Sequence, residues 1–347
     1  HRASPPQGGG WRRGHRPRRI LSATRGKSDH GGVIVIVGQA VSAGDWGERF
    51  QGIIAPITTP FEGGKLAPAA LESNLERYFS APLTGVLVLG TNGEFPYLET
   101  EEKEELVGFV CSRAPEGFEV IAGTGCESTA ATIRLTVRAA ELGASAVMVL
   151  PPHYFRSLMT PAVLERHFLA VADASPVPVL LYNNPSTTGV NLGAELVLSL
   201  ASHPNVAGIK DTSGDIVQIA RIAAGAALLP PESGGFATLA GSGSYLLPAL
   251  AVGAVGGVVA VANVWPERCA AIVQAFREGR LEEAQELHRG LLELNAAVTA
   301  RWGVPGMKAA LDLAGMFGGD PRPPLRPLEG EAREELARIM RRAGLLP

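Results

Sequence analysis

An α/β fold of the (β/α)8 TIM-barrel type, followed by a C-terminal helical extension, is what this sequence predicts. Three observations carry the prediction. Eight short apolar runs recur between residues 53 and 262, helical patterns separate them, and no Gly-rich nucleotide-binding turn follows the first run. A doubly wound open sheet is the competing architecture, but it usually carries GxGxxG after its first strand, and ITTPFEG at 57–63 offers nothing of that kind.

In chain order the runs are IIAPI (53–57), VLVL (86–89), VIAG (120–123), AVMVL (146–150), VPVLLY (177–182), VAGIK (206–210), FATLAG (236–241) and GGVVAVA (256–262). They are continuous rather than alternating, as expected of strands buried on both faces. Helical stretches lie between them, for example at 100–113, 128–142, 160–174 and 266–278, several opened by Ser or Thr in a capping position. Beyond residue 280 only helical patterns remain, at 281–300, 306–315 and 330–343. The expected division is a leader over 1–48, a catalytic barrel over 49–279 and a helical extension over 280–347.

With 347 residues, 46% hydrophobic and 19% charged, the chain can bury a large core. Cys111, Cys126 and Cys269 are too few and too widely spaced for a disulfide framework, which points to a reducing compartment. Residues 1–28 carry seven Arg and Lys27 without an acidic residue, leaving the remainder distinctly acidic. That balance argues against a nucleic-acid role for the folded body. The leader has the composition of an organellar transit peptide, although Pro5, Pro6, Pro17 and several glycines interrupt the usual amphipathic helix. A mitochondrial location is the expectation, with the cytoplasm or another organelle as alternatives. The uncharged stretch 245–266 has the length of a membrane span, but Pro248, three glycines and Asn263 divide it, so no membrane segment is expected.

In such a barrel the chemistry stands at the C-terminal strand ends. These ends deliver GTNGE (90–94), PPHYFR (151–156), YNNPSTTG (182–189), KDTSGD (210–215) and GSGS (241–244). Lys210, one of five lysines, terminates an apolar strand. Poor solvation there disfavours the ammonium and supplies the neutral amine that forms a Schiff base with a carbonyl. The alternatives are an ion pair with Asp211 or a lysine that snorkels to solvent. Tyr182 ends the preceding strand, so its phenol should stand beside Lys210 and can shuttle protons; an amphipathic core tyrosine is the plainer possibility. Backbone N–H groups of the 90–94 turn, with Thr91 and Asn92, suit a carboxylate. GSGS lacks the lysine and spacing of a phosphate-binding loop. The seven histidines form no HxxxH or HxH pair, so no metal is expected, and a covalent Schiff base through Lys210 needs no cofactor.

GTNGE, YNNPSTTG and GIKD, in that order, resemble the pyruvate-dependent class I lyases that include dihydrodipicolinate synthase and N-acetylneuraminate lyase, from about Gly52 to the C-terminus. Within the family the chain looks most like the mitochondrial 4-hydroxy-2-oxoglutarate aldolases, through TNGEFPYL (91–98), GTGCEST (123–129), GAVGGVVAVANV (253–264) and NAAVTARWGVPGMK (295–308). The resemblance implies that Lys210 forms the Schiff base, Tyr182 relays protons, and Thr91 and Asn92 hold the substrate carboxylate. It further implies that Thr212 and Gly241 contact substrate and that Tyr154 reaches into a neighbouring subunit's proton relay, in a homotetramer built from dimers.

Two departures bear on specificity. The synthase motif YNxPxRTG carries an arginine where this chain has Thr187, and its usual GTTGE is GTNGE here. The expected reaction is metal-independent cleavage of 4-hydroxy-2-oxoglutarate to pyruvate and glyoxylate, with a small 2-oxo acid as the only partner besides other subunits. Another pyruvate-dependent lyase or synthase of the family, including a dihydrodipicolinate synthase-like enzyme or a 2-keto-3-deoxy sugar acid aldolase, is the runner-up. A non-catalytic 2-oxo-acid-binding barrel and a phosphate-ester enzyme are rivals from other classes. Arg156 is the loop residue suggested for the distal carboxylate, against a plain solvent-exposed arginine.

Overall fold

The computed structural model describes residues 46–230 and 233–347. The expected leader therefore lies, up to residue 45, outside the described residues. Eight parallel strands close into a barrel: β1 (Gly52–Pro56), β2 (Gly85–Val88), β3 (Glu119–Gly123), β4 (Ala146–Val149), β5 (Val179–Asn183), β6 (Val206–Asp211), β7 (Ala237–Ala240) and β8 (Gly256–Val258). Each pairs with its sequence neighbour, and β8 returns to β1. Among the described residues, helices follow the strands on the outside, so this is the TIM barrel that the alternation predicts.

Two apolar layers result from strands whose side chains alternate inward and outward. Ile54, Leu87, Ile121, Met148, Leu180, Leu239 and Val258 fill the barrel interior, each essentially inaccessible. The outward set, such as Val86, Val120, Val147, Leu181 and Ile209, packs beneath the helices. At the N-terminal mouth the short helix α1 (Trp46–Arg49) supplies Trp46, and Phe50 follows it into the same interior cluster. Arg49 is bonded to Glu119 at 2.8 and 3.0 Å and to the Ser145 carbonyl at 2.9 Å, which ties this plug to β3 and the approach to β4.

The outer helices are α2 (Pro68–Ser80), α3 (Thr100–Cys111), α4 (Thr129–Glu141), α5 (Pro161–Ala174), α6 (Ala194–Ala201), α7 (Ile216–Ala226), α8 (Leu246–Ala251) and α9 (Pro266–Arg277). Their starts have local causes. The Ser128 side chain accepts from the Ala131 N–H and Thr160 from Val163, while Glu99 and Glu102 form a reciprocal capping box at α3.

The structure corrects two boundaries. The last apolar run is a strand only over Gly256–Val258, and residues 260–263 form a 3-10 turn. Asn263 causes the change: its amide donates to the Pro56 and Ala260 carbonyls, and its oxygen accepts from the Tyr78 hydroxyl. Beyond the barrel, the helix expected at 281–300 is α10 (Leu281–Ala296) continued by a π-helical turn over Ala297–Arg301. There the Thr299 hydroxyl donates to the Asn295 carbonyl, inserting a side chain into the backbone ladder. The extension is completed by α11 (Gly303–Leu313) and α12 (Gly330–Arg342). Among the described residues no helix is long and apolar enough to cross a membrane.

Candidate active site

Register places the chemistry. Between β5 and β6 the pairing begins Val179 with Val206 and then shifts, so that Leu180 pairs with Gly208, Tyr182 with Lys210 and Asn183 with Asp211. Ala207 is the extra residue, and without this irregularity Tyr182 would lie beside Ile209, which faces the helices. Both Lys210 and Tyr182 are buried, at 4% and 6% exposure. The lysine Nζ sits 4.2 Å from the centre of the Tyr182 ring.

The Tyr182 hydroxyl is 3.1 Å from Thr91 Oγ1 and accepts from the Asn184 amide at 3.2 Å. Burial pushes the phenol up, but the Lys210 charge and contacts from Thr91, Lys210 and Asn184 outweigh it and hold the group below its ordinary value. A phenol so poised gives and takes protons more readily than a free tyrosine. A cavity of about 390 Å³ reaches Tyr182, lined among others by Leu89, Gly90, Thr91, Lys103, His153 and Thr187.

Asp211 faces away from Lys210, as the alternation of strand side chains requires. Its carboxylate accepts from the Ser213 N–H at 2.8 Å and hydroxyl at 2.5 Å, from Gln218 at 2.7 Å and from Asn183 at 3.2 Å. The ion pair weighed as an alternative for Lys210 is therefore not what this carboxylate makes. Instead Asp211 joins the ends of β5 and β6 to the start of α7, fixing the frame on which Lys210 stands.

Thr212 and Gly241 come together at the ends of β6 and β7. The Thr212 hydroxyl is buried with no hydrogen-bond partner among the described residues, and the Gly241 N–H donates to the Asp211 carbonyl at 2.7 Å. A Cβ on Gly241 would lie 2.2 Å from Thr212 Oγ1 and 2.6 Å from the Asp211 oxygen. Gly241→Ala is therefore expected to displace Thr212 and raise KM for a 2-oxo acid about tenfold, the equivalent of about one hydrogen bond. Steady-state kinetics beside a circular dichroism spectrum checks this, and an unchanged KM would remove Thr212 and Gly241 from the binding site.

Other expected residues are placed differently. The Asn92 amide donates to the Pro56 carbonyl at 3.2 Å and so braces the turn from beneath. Tyr154 is 78% exposed with its ring edge-on to Phe155, apart from the Lys210–Tyr182 pair of its own chain. Arg156 lies on the surface over Gly189, at the end of the 182–189 segment. Thr187 lines the cavity. In the GSGS segment, the Asn295 amide donates to the hydroxyls of Ser242 and Ser244, and His288 contacts the Gly243 carbonyl at 2.9 Å. These bonds fasten that loop to α10. Among the described residues, no three His, Cys, Asp or Glu side chains gather as a metal site.

Two partners were not assigned from sequence. Asn184 stands inside the quoted YNNPSTTG motif, and its position two residues after Tyr182 was the available signal. Glu94, buried at 2% and carried by the GTNGE turn, gave no signal of its partner because Lys308 belongs to the distant α11.

Comparison with known proteins agrees with the barrel fold. Residues 49–343 match the model of the dihydrodipicolinate synthetase family. The chain is 35% identical to 4-hydroxy-tetrahydrodipicolinate synthase of Syntrophus aciditrophicus over 297 residues, 86% of this chain and 99% of that protein. Among solved structures, the dihydrodipicolinate synthase of Thermotoga maritima superposes with a TM-score of 0.80 at 31% identity, covering 86% of this chain and all of that one. A prophage protein of E. coli K12 from the dihydrodipicolinic acid synthase family, solved in complex with pyruvate, superposes with a TM-score of 0.79 at 29% identity, covering 85% and 99%.

Proposed function

Because the chain belongs to the dihydrodipicolinate synthetase family, whose model it matches over residues 49–343, we propose that it is a metal-independent class I lyase acting on a 2-oxo acid through a Schiff base on Lys210. The observation that carries the reading is the buried Lys210 amine 4.2 Å over the Tyr182 ring, with the Tyr182 hydroxyl bonded to Thr91 and Asn184. A buried lysine beside a proton-shuttling phenol and an empty-handed hydroxyl at Thr212 is what imine chemistry on a small acid requires.

We assign 4-hydroxy-2-oxoglutarate as the substrate. The Lys210 amine attacks its C2 carbonyl, and loss of water from the carbinolamine leaves an iminium. Tyr182, directly or through water, accepts the C4 hydroxyl proton. As the C3–C4 bond breaks, its electron pair passes into the iminium, releasing glyoxylate and leaving an enamine. Protonation at C3 and hydrolysis then give pyruvate and free Lys210. Thr91 and the backbone N–H groups of its turn would hold the C1 carboxylate. The exposed Tyr154, Phe155 and Leu158 suit a contact with a second copy of the chain, in keeping with the tetramer that the resemblance implies.

A synthase reading has its own support, since the relative from Syntrophus aciditrophicus is named for making 4-hydroxy-tetrahydrodipicolinate. Against it stands Thr187, which lines the cavity at the place where the synthase motif holds an arginine. Threonine offers an aldehyde's carboxylate no guanidinium at that position, although Lys103, whose amine sits 4.2 Å from the Phe95 ring centre, also lines the cavity. Cleavage of 4-hydroxy-2-oxoglutarate is therefore expected to exceed 4-hydroxy-tetrahydrodipicolinate formation by at least about 100-fold in kcat/KM. Assaying both reactions on one preparation decides between them, and the reverse ratio assigns the synthase.

A further inference from the structure

Backbone strain in this chain is concentrated at one turn. Among the described residues, the only non-glycine residues with positive φ are Leu89, at 62°, and Glu94, at 58°. They bracket the 90–93 segment that carries Thr91 and Asn92. Left-handed backbone disfavours residues with a side chain and persists only where the surroundings over-determine it, most often at functional sites.

What over-determines it is supplied from the other end of the chain. Glu94 Oε1 lies 2.7 Å from Lys308 Nζ, in charge contact rather than hydrogen-bond alignment, and both side chains are 1% exposed. Glu94 Oε2 accepts from the Arg322 N–H at 2.7 Å. Lys308 also donates to the Thr59 carbonyl at 2.9 Å and to the Asp320 carbonyl at 3.0 Å, while the Thr59 hydroxyl donates to the Gly93 carbonyl at 2.7 Å. The Arg322 guanidinium reaches the Tyr97 carbonyl and Glu102 just beyond the turn. Apart from the Lys308–Asp320 bond, which lies within the extension, each of these bonds ends on the turn, its flanks or the strand-end loop with Thr59. A buried ion pair is a poor source of stability compared with apolar packing, and its best-attested use is to select one arrangement over others.

We propose that Lys308 is a positioning residue for proton transfer: its ion pair with Glu94 holds that residue's left-handed backbone, and with it the turn that brings Thr91 to the Tyr182 hydroxyl. Lys308 of the helical extension then reaches the relay through Glu94 without touching substrate. This inference rests on the Schiff-base reading above, with Thr91 and Tyr182 in the roles given there.

Lys308→Met alone would leave the Glu94 carboxylate buried without its cation, so the test uses the double variant Glu94→Gln/Lys308→Met, which buries no charge. Glu94→Gln alone, which keeps the acceptor for Arg322, is the milder companion should the double variant not fold. Both are expected to accumulate the full borohydride-trapped pyruvate adduct on Lys210 at end point. Turnover should fall on the order of 10²-fold for the double variant, and KM should rise with it by about threefold or more, because the turn that brings Thr91 to the relay also holds the C1 carboxylate. The pH limb of kcat belonging to Tyr182, which faces Lys210 and Tyr245, should move upward as the Thr91 contact that lowers its ionisation is lost. In a Thr91→Val background the same substitutions should cost less than about threefold more, since two changes acting through one contact are not additive. Arg301→Ala, which removes an exposed ion pair of the extension with Glu335 and none of the contacts to the turn, should leave kcat and the pH limb unchanged. A folded double variant with the native turnover and pH limb overturns the positioning role alone. Failure of the unaltered protein to form the adduct overturns the Schiff-base reading and this inference with it.

Discussion

Replacing Lys210 with alanine is expected to abolish turnover while the barrel stays folded. The covalent route runs through this one amine, so its loss removes most of the acceleration, on the order of 10⁶-fold or more, which places the variant at the detection limit. Stability should change little by comparison. Lys210 is 4% exposed, and no bond of Asp211 depends on it, since that carboxylate is satisfied by Ser213, Gln218 and Asn183. Truncation leaves a cavity but also removes a buried amine, two effects of opposite sign that leave a net change of about 1–2 kcal/mol. Lys210→Arg separates charge from nucleophile: it keeps a cation near Tyr182, forms no imine, and should be as inactive as the alanine variant. Steady-state assays beside thermal melts check both, and appreciable turnover by either would require a different nucleophile.

Tyr182→Phe carries the second largest effect. The ring and its packing over Lys210 are kept, and only the hydroxyl bonded to Thr91 and Asn184 is lost. Removing a positioned general acid–base group costs 10²–10⁴-fold, so kcat should fall within about that range. Imine formation should slow as well, because dehydration of the carbinolamine uses the same proton relay, yet the adduct should still reach completion at long times. The buried Asn184 amide loses an acceptor, which should destabilise the fold by about 1–2 kcal/mol. Stopped-time trapping set against steady-state turnover measures the two effects separately. A variant with native kcat would leave Tyr182 a packing residue.

Much of this architecture is legible in the sequence because parallel strands buried on both faces leave an unmistakable record of continuous apolar runs, and barrel topology then dictates where each run ends. Lys210 and Tyr182 stand out for that reason: polar termini of adjacent apolar strands have one place to go. Their direct pairing depends in addition on the extra residue Ala207, which nothing in the pattern announces. The end of the eighth strand is misread from sequence because Asn263 turns the chain by bonding to Pro56 and Tyr78, residues far away in sequence. Asn92 reads as a substrate ligand in a neutral turn, whereas its amide braces that turn against Pro56. The Glu94–Lys308 pair is invisible for the same physical reason: an ion pair between the second strand loop and the C-terminal extension exists only once the chain has closed. Local pattern thus reveals what secondary structure delivers, while long-range polar contacts determine how it is held.

The most direct test of the account is to incubate the purified protein with pyruvate and borohydride, determine the intact mass, and locate the modification by peptide mass spectrometry. A reduced pyruvate adduct on Lys210, absent without pyruvate and absent from Lys210→Ala, is the expected result. Folded protein that forms no adduct, or forms it on another lysine, would contradict the Schiff-base assignment.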